Sequence, residues 1–476
     1  MSAAPDPRAE FITRTWRDDV LPALEEYIRI PNLSPAFAPG WANDGHMDRA
    51  VGLIADWCRR RPIPGLTVSV HTLPGRTPVV IVEIPATDGV AGPGPVLLYG
   101  HLDKQPPMTG WRDGLDPWIP VIEHGRLYGR GSADDGYAVF AALTAIEANH
   151  RAGRPHARCV VVIEASEESG SPDLPAHVEA LADRIGTPSF VICLDSGCLD
   201  DERLWVTTSL RGLLNGTLEV AVLDAGVHSG LAGGLVPSSF RIARALLDRV
   251  EDSATGAILL PELHVPLPPD RRREIEITAA ALAAPIAAQL PFLPGVTPQT
   301  TDGVEQVIAR TWRPALEVIG ADGLPPTADA GNVLRPSTAL TLSVRLPPTC
   351  DPIPAGRALA AALTRDPPSG AHVVWTPEPE AAGWMAPATA PWLAAALDEA
   401  SGAGFGAPSA LVGEGGSIPF MAMLGARFPD AHFAVLGVLG PDSNAHGPNE
   451  FLDLVYAEGL VRALTVLLEA HAASRP

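Results

Sequence analysis

The feature that most restricts this chain is a rhythm that stops and restarts. Up to about residue 209, short β-branched runs bounded by turn residues (Val79–Ile84, Val96–Gly100, Cys159–Ile163 and Phe190–Leu194) alternate with helix-like stretches. One of these, Asp134–Asn149, spaces its apolar residues helically behind an acidic first turn, where carboxylates suit the helix dipole. Strand, helix, strand in that order predicts βαβ units and a mainly parallel sheet. Near Leu210 the texture changes. Leu214–Leu223 and Leu340–Arg345 alternate like half-buried strands, with helical stretches at Phe240–Glu251 and Gly356–Thr364 and a proline-rich loop at Pro261–Pro269. After Pro377 the first pattern returns, with a helix at Trp392–Ser401, a buried strand at Phe433–Val438 and a closing helix at Tyr456–Ala470. The economical reading is an α/β domain with a mainly parallel sheet, built from residues 1–209 and 385–476, with residues 210–384 inserted as an α+β unit. A length of 476 residues accommodates this, since one domain averages roughly 150.

Charge narrows the partners. Lys plus Arg number 34 against 55 Asp plus Glu, and 34 − 55 = −21. Such a surface repels phosphate backbones and anionic lipid, so nucleic acid and membrane are not expected partners. It suits a chain that spends carboxylates on metal. Met1–Glu10 carries Asp6, Arg8 and Glu10 and no apolar signal core, and the apolar stretch Ala279–Val296 is broken by Pro285, Pro291 and Pro294. The five cysteines are odd in number and scattered, as in a reduced cytoplasmic protein, which is the expected location. Cys193 and Cys198 flank Asp195 without a second pair nearby and read as buried bystanders rather than zinc ligands.

Chemistry-bearing residues gather where strands end. Val96–Gly100 runs into His101-Leu102-Asp103, and residues two apart on an extended chain share a face, which lets Asp103 orient the His101 ring. Gly129–Gly136 is a glycine-bounded turn holding Asp134 and Asp135; helix capping accounts for one acid but not for a crowded pair. Cys159–Ile163 leads to adjacent Glu167 and Glu168, which repel unless a cation is close. Phe190–Leu194 ends in Asp195, and the turn-rich loop Asp442–Glu450 carries His446. Each motif is bland singly. Together they place imidazoles and carboxylates at the carboxyl ends of parallel strands, where open α/β sheets bind ligands. That donor mix suits Zn²⁺ or Mn²⁺ better than Mg²⁺.

The segments Tyr99–Asp103, Gly125–Gly136, Glu167–Ser171, Asp195 and Ala445–Glu450, in this order and spacing, resemble the M20 metallopeptidases, and within them the carnosinase-like dipeptidases. The resemblance implies two divalent ions per chain, with Zn²⁺ expected and Mn²⁺ or Co²⁺ as alternatives. His101, Asp134 and Asp195 would hold one ion, and Asp134, Glu168 and His446 the other, leaving Glu167 as general base. It implies that the inserted unit is a lid and dimerisation domain making a homodimer. In that unit His228, within Asp224–Gly230, would steady the oxyanion, either in its own chain or across the dimer. Arg345 would hold a substrate's terminal carboxylate, with Gly416 and Ser417 of the Gly413–Pro419 turn offering it further donors. The expected reaction is hydrolysis of dipeptides or short peptides, with N-acyl amino acid deacylation as the alternative on the same scaffold. A non-enzymatic binding relative should have lost a ligand or the base, and His101, Asp134, Glu167, Glu168, Asp195 and His446 are all present. One departure stands out: many relatives place a lysine after the paired acids, where this chain has Gly136.

Overall fold

The computed structural model describes residues 6–90 and 93–474. Strands Val96–His101 and Cys159–Glu164 lie parallel, with Phe190–Cys193 along the other side of the first and His432–Val435 beyond it, also parallel. Their side chains are almost all buried, which is why these strands read as unbroken apolar runs rather than as alternating ones. Successive residues still point to opposite faces. Leu98, Val161, Ile163 and Ile192 join a core with helices Ala138–Arg151, Pro391–Gly404 and Leu454–Ala473. Leu97, Tyr99, Val160, Val162 and Val191 join a second core with helices Leu174–Ala180 and Pro419–Arg427.

Antiparallel pairs join the parallel strands toward both edges of the sheet. Val79–Ile84 is antiparallel both to Thr67–His71 and to Cys159–Glu164; the seven residues between the first two strands are too few for a crossover. On the far side, Trp205–Leu210 is parallel to Ala410–Glu414 but antiparallel to Trp384–Met385 and His432–Val435. The result is a mixed nine-stranded sheet. The helix expected from Asp134 begins at Ala138 instead. Before it, the backbone closes on itself, with Gly136 N–H donating to Gly131 O at 3.2 Å, and the acids stay in a turn.

The chain leaves the large sheet at Leu210 and rejoins it at Trp384. Between these points four antiparallel strands run in the order Ala315–Asp322, Ser337–Leu346, Gly212–Ala221, His372–Pro377. Buried and open positions alternate along the two central ones. The buried set packs under helices Ser239–Leu247 and Pro352–Thr364 as a third core. The proline-rich passage carries a short 3₁₀ turn, Pro261–Leu263, before helix Pro269–Ala281. That helix and Gly303–Thr311 do not cover the small sheet: Ile275, Val307, Ile308 and Trp312 belong to a core of the large one. No helix among the described residues is long and apolar enough to cross a membrane.

Leu342 is fully buried in the small-sheet core. Leu342→Ala should therefore cost about 2–5 kcal/mol, read as a lower urea midpoint for the transition reported by tryptophan fluorescence. An unchanged midpoint would mean that this core contributes nothing to the measured unfolding.

Candidate metal centre

His101 is the last residue of its strand, and a close approach behind it fixes its direction. A Cβ on Gly100 would lie 2.5 Å from Ala138 Cβ and 2.6 Å from Asp135 Oδ2, so only glycine fits between strand and helix. Asp135 uses the space to accept the His101 main-chain N–H at 3.1 Å. It does not face the histidines, and the neighbouring acid does. Asp134 Oδ1 is 3.2 Å from His101 Nε2, and Asp134 Oδ2 is 2.9 Å from His446 Nε2. One carboxylate thus addresses two imidazoles that stand 345 positions apart in sequence. Asp195 Oδ1 lies 3.8 Å from His101 Nε2, and Glu168 Oε2 lies 3.3 Å from His446 Nε2. The donors fall into two sets that share Asp134: His101, Asp134 and Asp195, and Asp134, Glu168 and His446, the atoms of each set lying within 4.8 Å of one another. Glu167 sits beside Glu168 in the turn Glu167–Ser169. Among the described residues its carboxylate has no hydrogen bond or ion pair.

Asp103 contacts the His101 ring, with its main-chain carbonyl, 3.1 Å from Nδ1, closer than its carboxylate at 3.6 Å. The carboxylate also accepts the N–H groups of Glu167 and Glu168 at 3.1 and 3.0 Å, fixing the turn that carries both acids. His446 is held in a loop where Asp442, Asn444, His446 and Asn449 all have positive φ. Left-handed backbone at four non-glycine residues is strained and persists only where surrounding contacts impose it.

The charges resist one another. Burial pushes the Glu167 and Glu168 carboxyls well above their usual range, with Asp195 adding to the first and Asp134 to the second. Burial acts against the His101 imidazolium, yet Asp195, Asp103 and Asp134 outweigh it and raise its pKa. Burial acts against the Asp134 carboxylate, yet the two histidines beside it, His101 and His446, outweigh burial and hold its pKa low. No Lys or Arg forms an ion pair with Asp134, Glu167, Glu168 or Asp195 among the described residues. Asp134 Oδ2, although 2.9 Å from His446 Nε2, and Glu168 Oε1 are buried without a well-formed hydrogen bond. Buried carboxylate oxygens left without a hydrogen bond, within an imidazole–carboxylate donor set, fit divalent metal.

A family model described as peptidase family M20/M25/M40 matches residues 97–471. The chain belongs to this family. It is a hydrolase of the peptidase type, as the motif order implied. It is 28% identical over 399 residues to a cysteinylglycine-S-conjugate dipeptidase of Corynebacterium striatum, covering 82% of this chain and 83% of the relative. A human β-Ala-His dipeptidase is 26% identical over 366 residues, covering 73% and 70%. The crystal structure of human carnosine dipeptidase 1 superposes with a TM-score of 0.78 at 23% identity, covering 99% of each chain. The dipeptidase Dug1p of Saccharomyces cerevisiae gives 0.79 at 20%, covering 98% of each. These two share the fold.

Several residues outside the two donor sets support the cluster. Glu450 and Arg130 form a fully buried ion pair at 2.6 Å. Glu450 also accepts the N–H groups of Gly131, Ala133 and Asp134 (3.0–3.3 Å), and Arg130 donates to Gly447 O at 2.7 Å. This pair ties the His446 loop to the Asp134 turn. Glu164, raised to about 7 by burial and by Asp103, accepts from Tyr99, Ser166 and Ser171 around the Glu167–Glu168 turn. Lys104, the only lysine in the sequence, is wholly buried and donates to Tyr27 O and Ile30 O, both at 2.8 Å. No side chain could replace Gly136, because a Cβ there would meet the Tyr27 ring at 2.3 Å. For Arg130 and Glu450 the available signal was a charged residue inside a family motif with no role of its own.

Residues expected at the substrate end are partly assembled. Arg345 donates to Ser417 Oγ at 3.0 Å, joining the small sheet to the Gly413–Ser417 region, while Gly416 is exposed. His228 is exposed and accepts from Gly230 N–H; among the described residues no hydrogen bond or ion pair joins it to the candidate metal centre. The five cysteines are buried and unpaired with one another, and none is in either donor set.

Glu450→Gln would leave Arg130 charged and buried without its partner, a defect worth about 3–5 kcal/mol. Urea unfolding should show that loss, and competition with a chelator should show weaker metal retention, because the His446 loop loses its tie. Undiminished metal affinity would separate the ion pair from the site.

Proposed function

We propose that this chain is a dinuclear metal-dependent dipeptidase that cleaves dipeptides or short peptides with a free C-terminal carboxylate. The observation that carries the proposal is the sharing of Asp134: each oxygen is committed to a different histidine, so one carboxylate completes two donor sets. His101, Asp134 and Asp195 would hold one ion and Asp134, Glu168 and His446 the other, with Zn²⁺ the best fit to the donors and Mn²⁺ or Co²⁺ able to substitute. Four carboxylates, counting Glu167, meet the four charges of two divalent ions. Bound there, the ions would supply Lewis-acid polarisation of the scissile carbonyl and acidify water toward a pKa of ~7. Glu167, free of other partners, takes the proton of the attacking water and passes it to the leaving amine. Asp103 keeps Glu167 and Glu168 in their turn by holding both N–H groups. Arg345, Ser417 and the Gly416 main chain receive the substrate's carboxylate.

The same proposal divides the chain into a catalytic domain of residues 1–209 and 385–476 and an inserted lid of residues 210–384. The lid would pair with a second copy. Leu231 and Leu235, beside His228, are 82% and 83% exposed, and Ile319 on the edge strand is 60% exposed, an apolar surface of the kind that subunits cover. Pairing would carry His228 to the neighbouring site, where its ring steadies charge developing on the scissile oxygen.

A hydrolysis screen of dipeptides against N-acyl amino acids, with Zn²⁺, Mn²⁺ or Co²⁺ restored to chelated protein, tests the activity; cleavage of the N-acyl series alone would transfer the assignment to deacylation. Glu167→Gln should lose about 10²–10⁴-fold in turnover with both ions retained, and Glu168→Gln should lose metal. The opposite pattern would reverse their roles. His228→Ala should lose about 10²–10³-fold in turnover. Mixing Glu167→Gln and His228→Ala subunits should then restore activity toward about a quarter of wild type, since half of a randomly exchanged dimer population is mixed and each mixed dimer has one intact site. Proven exchange without rescue would place His228 in its own chain's site or outside catalysis.

A further inference from the structure

Three arginines that make no ion pair among the described residues, Arg211, Arg310 and Arg345, border the turn Gly415–Ser417. Arg345 Nη1 donates to Ser417 Oγ at 3.0 Å, and Ser417 Oγ donates to Arg211 O at 2.6 Å. Arg211 Nε donates to Gly415 O at 2.9 Å, and its main-chain N–H donates to Gly416 O at 3.0 Å. Arg310 approaches the same turn: a Cβ built on Gly415 would lie 3.1 Å from Arg211 Nη2 and 3.2 Å from Arg310 Cγ. Among the described residues none of the three makes an ion pair, and the Arg310 guanidinium makes no hydrogen bond. Burial, with Arg345 and Arg310 close by, lowers the Arg211 pKa to about 10, and burial lowers that of Arg345. Three guanidinium groups gathered away from acids repel one another. In a chain of net charge −21 there was no shortage of acids to pair them.

The turn adjoins the candidate metal centre. Glu414, which precedes it, accepts the Gly197 N–H at 2.8 Å, two residues beyond Asp195. Arg211 and Arg310 border the turn that carries Ser417, close to where a substrate's α-carboxylate would meet Arg345 and Ser417. We propose that the turn is a subsite for two negative charges, so that preferred substrates end in glutamate or aspartate, the α-carboxylate lying on Arg345 and Ser417 and the side-chain carboxylate on Arg310 beside Arg211. This rests on the dipeptidase reading above.

Kinetics of the metal-loaded enzyme on Ala-Glu and Ala-Gln, which differ in charge but hardly in shape, test the subsite. Ala-Glu should be favoured by about tenfold or more in kcat/KM, as charge-assisted pairing at a built site allows, with the difference carried by KM. Arg310→Gln should bring the two substrates close to parity, and Arg310→Lys should recover part of the preference. Equal kcat/KM values in wild type, or a preference that survives Arg310→Gln, would overturn the proposal. A second arm needs no turnover: calorimetry of free glutamate and free glutamine binding to metal-loaded Glu167→Gln protein. Glutamate should bind more tightly, and Arg310→Gln should remove the difference. If no dipeptide is cleaved, the dipeptidase reading fails and this arm alone decides the subsite; equal affinities, or no glutamate binding, overturn it.

Discussion

Asp134 is the point on which the cluster turns. Two imidazoles approach its two oxygens, and the carboxylates of Asp195 and Glu168 close in from either side without a basic side chain between them. Buried like charges are unfavourable unless compensated, so their convergence is itself a statement about what the site binds. The rest of the local structure holds this unfavourable arrangement in place. Asp103 caps the turn of the paired glutamates, Asp135 fixes the His101 backbone, and the Arg130–Glu450 pair fastens the strained His446 loop to the Asp134 turn.

The fold makes that convergence possible at low cost elsewhere. Parallel strands deliver their C-terminal residues to one edge of the sheet, and the flanking cores fill both faces with aliphatic and aromatic side chains. Polar chemistry is left to the rim, where crevices form in open α/β sheets. Helix Ala138–Arg151, buried almost along its whole length, begins just after the acidic turn and presses against the strand that ends at His101. A rigid apolar frame thus positions a polar cluster that could not organise itself.

The inserted unit meets the frame at a narrow junction. Gly212 and Gly383 pass so close that a Cβ on either would strike backbone, at 2.8 Å from Ala381 O and 2.6 Å from Pro348 O respectively. Arg211 lies in the first crossing and Arg345 in the strand above it, and both reach the Gly415–Ser417 turn of the other unit. This part of the contact between units is therefore cationic, and it lies near Asp195 of the candidate metal centre. Helices Pro269–Ala281 and Gly303–Thr311, although inserted in sequence, pack on the large sheet and bring Arg310 to the same place.

What the sequence determined by itself was local and periodic. The buried strands and the alternating strands of the insert were legible, because side-chain period and turn residues are written into neighbouring positions. So was the gathering of imidazoles and carboxylates near strand ends, while the choice of Asp134 over Asp135 and of Glu168 over Glu167 as candidate ligands came from the family resemblance alone. The late start of the helix at Ala138, the antiparallel edges of the sheet and the use of the Asp103 carboxylate on N–H groups 64 and 65 residues away were not legible. Each depends on which distant segment arrives to compete for a hydrogen bond. Tertiary structure alone decided that Glu450 answers Arg130 across 320 residues and that Arg211, Arg310 and Arg345 gather at one turn. A charged residue in a sequence names its chemistry but not its partner, and in a low-dielectric interior the partner sets its energy.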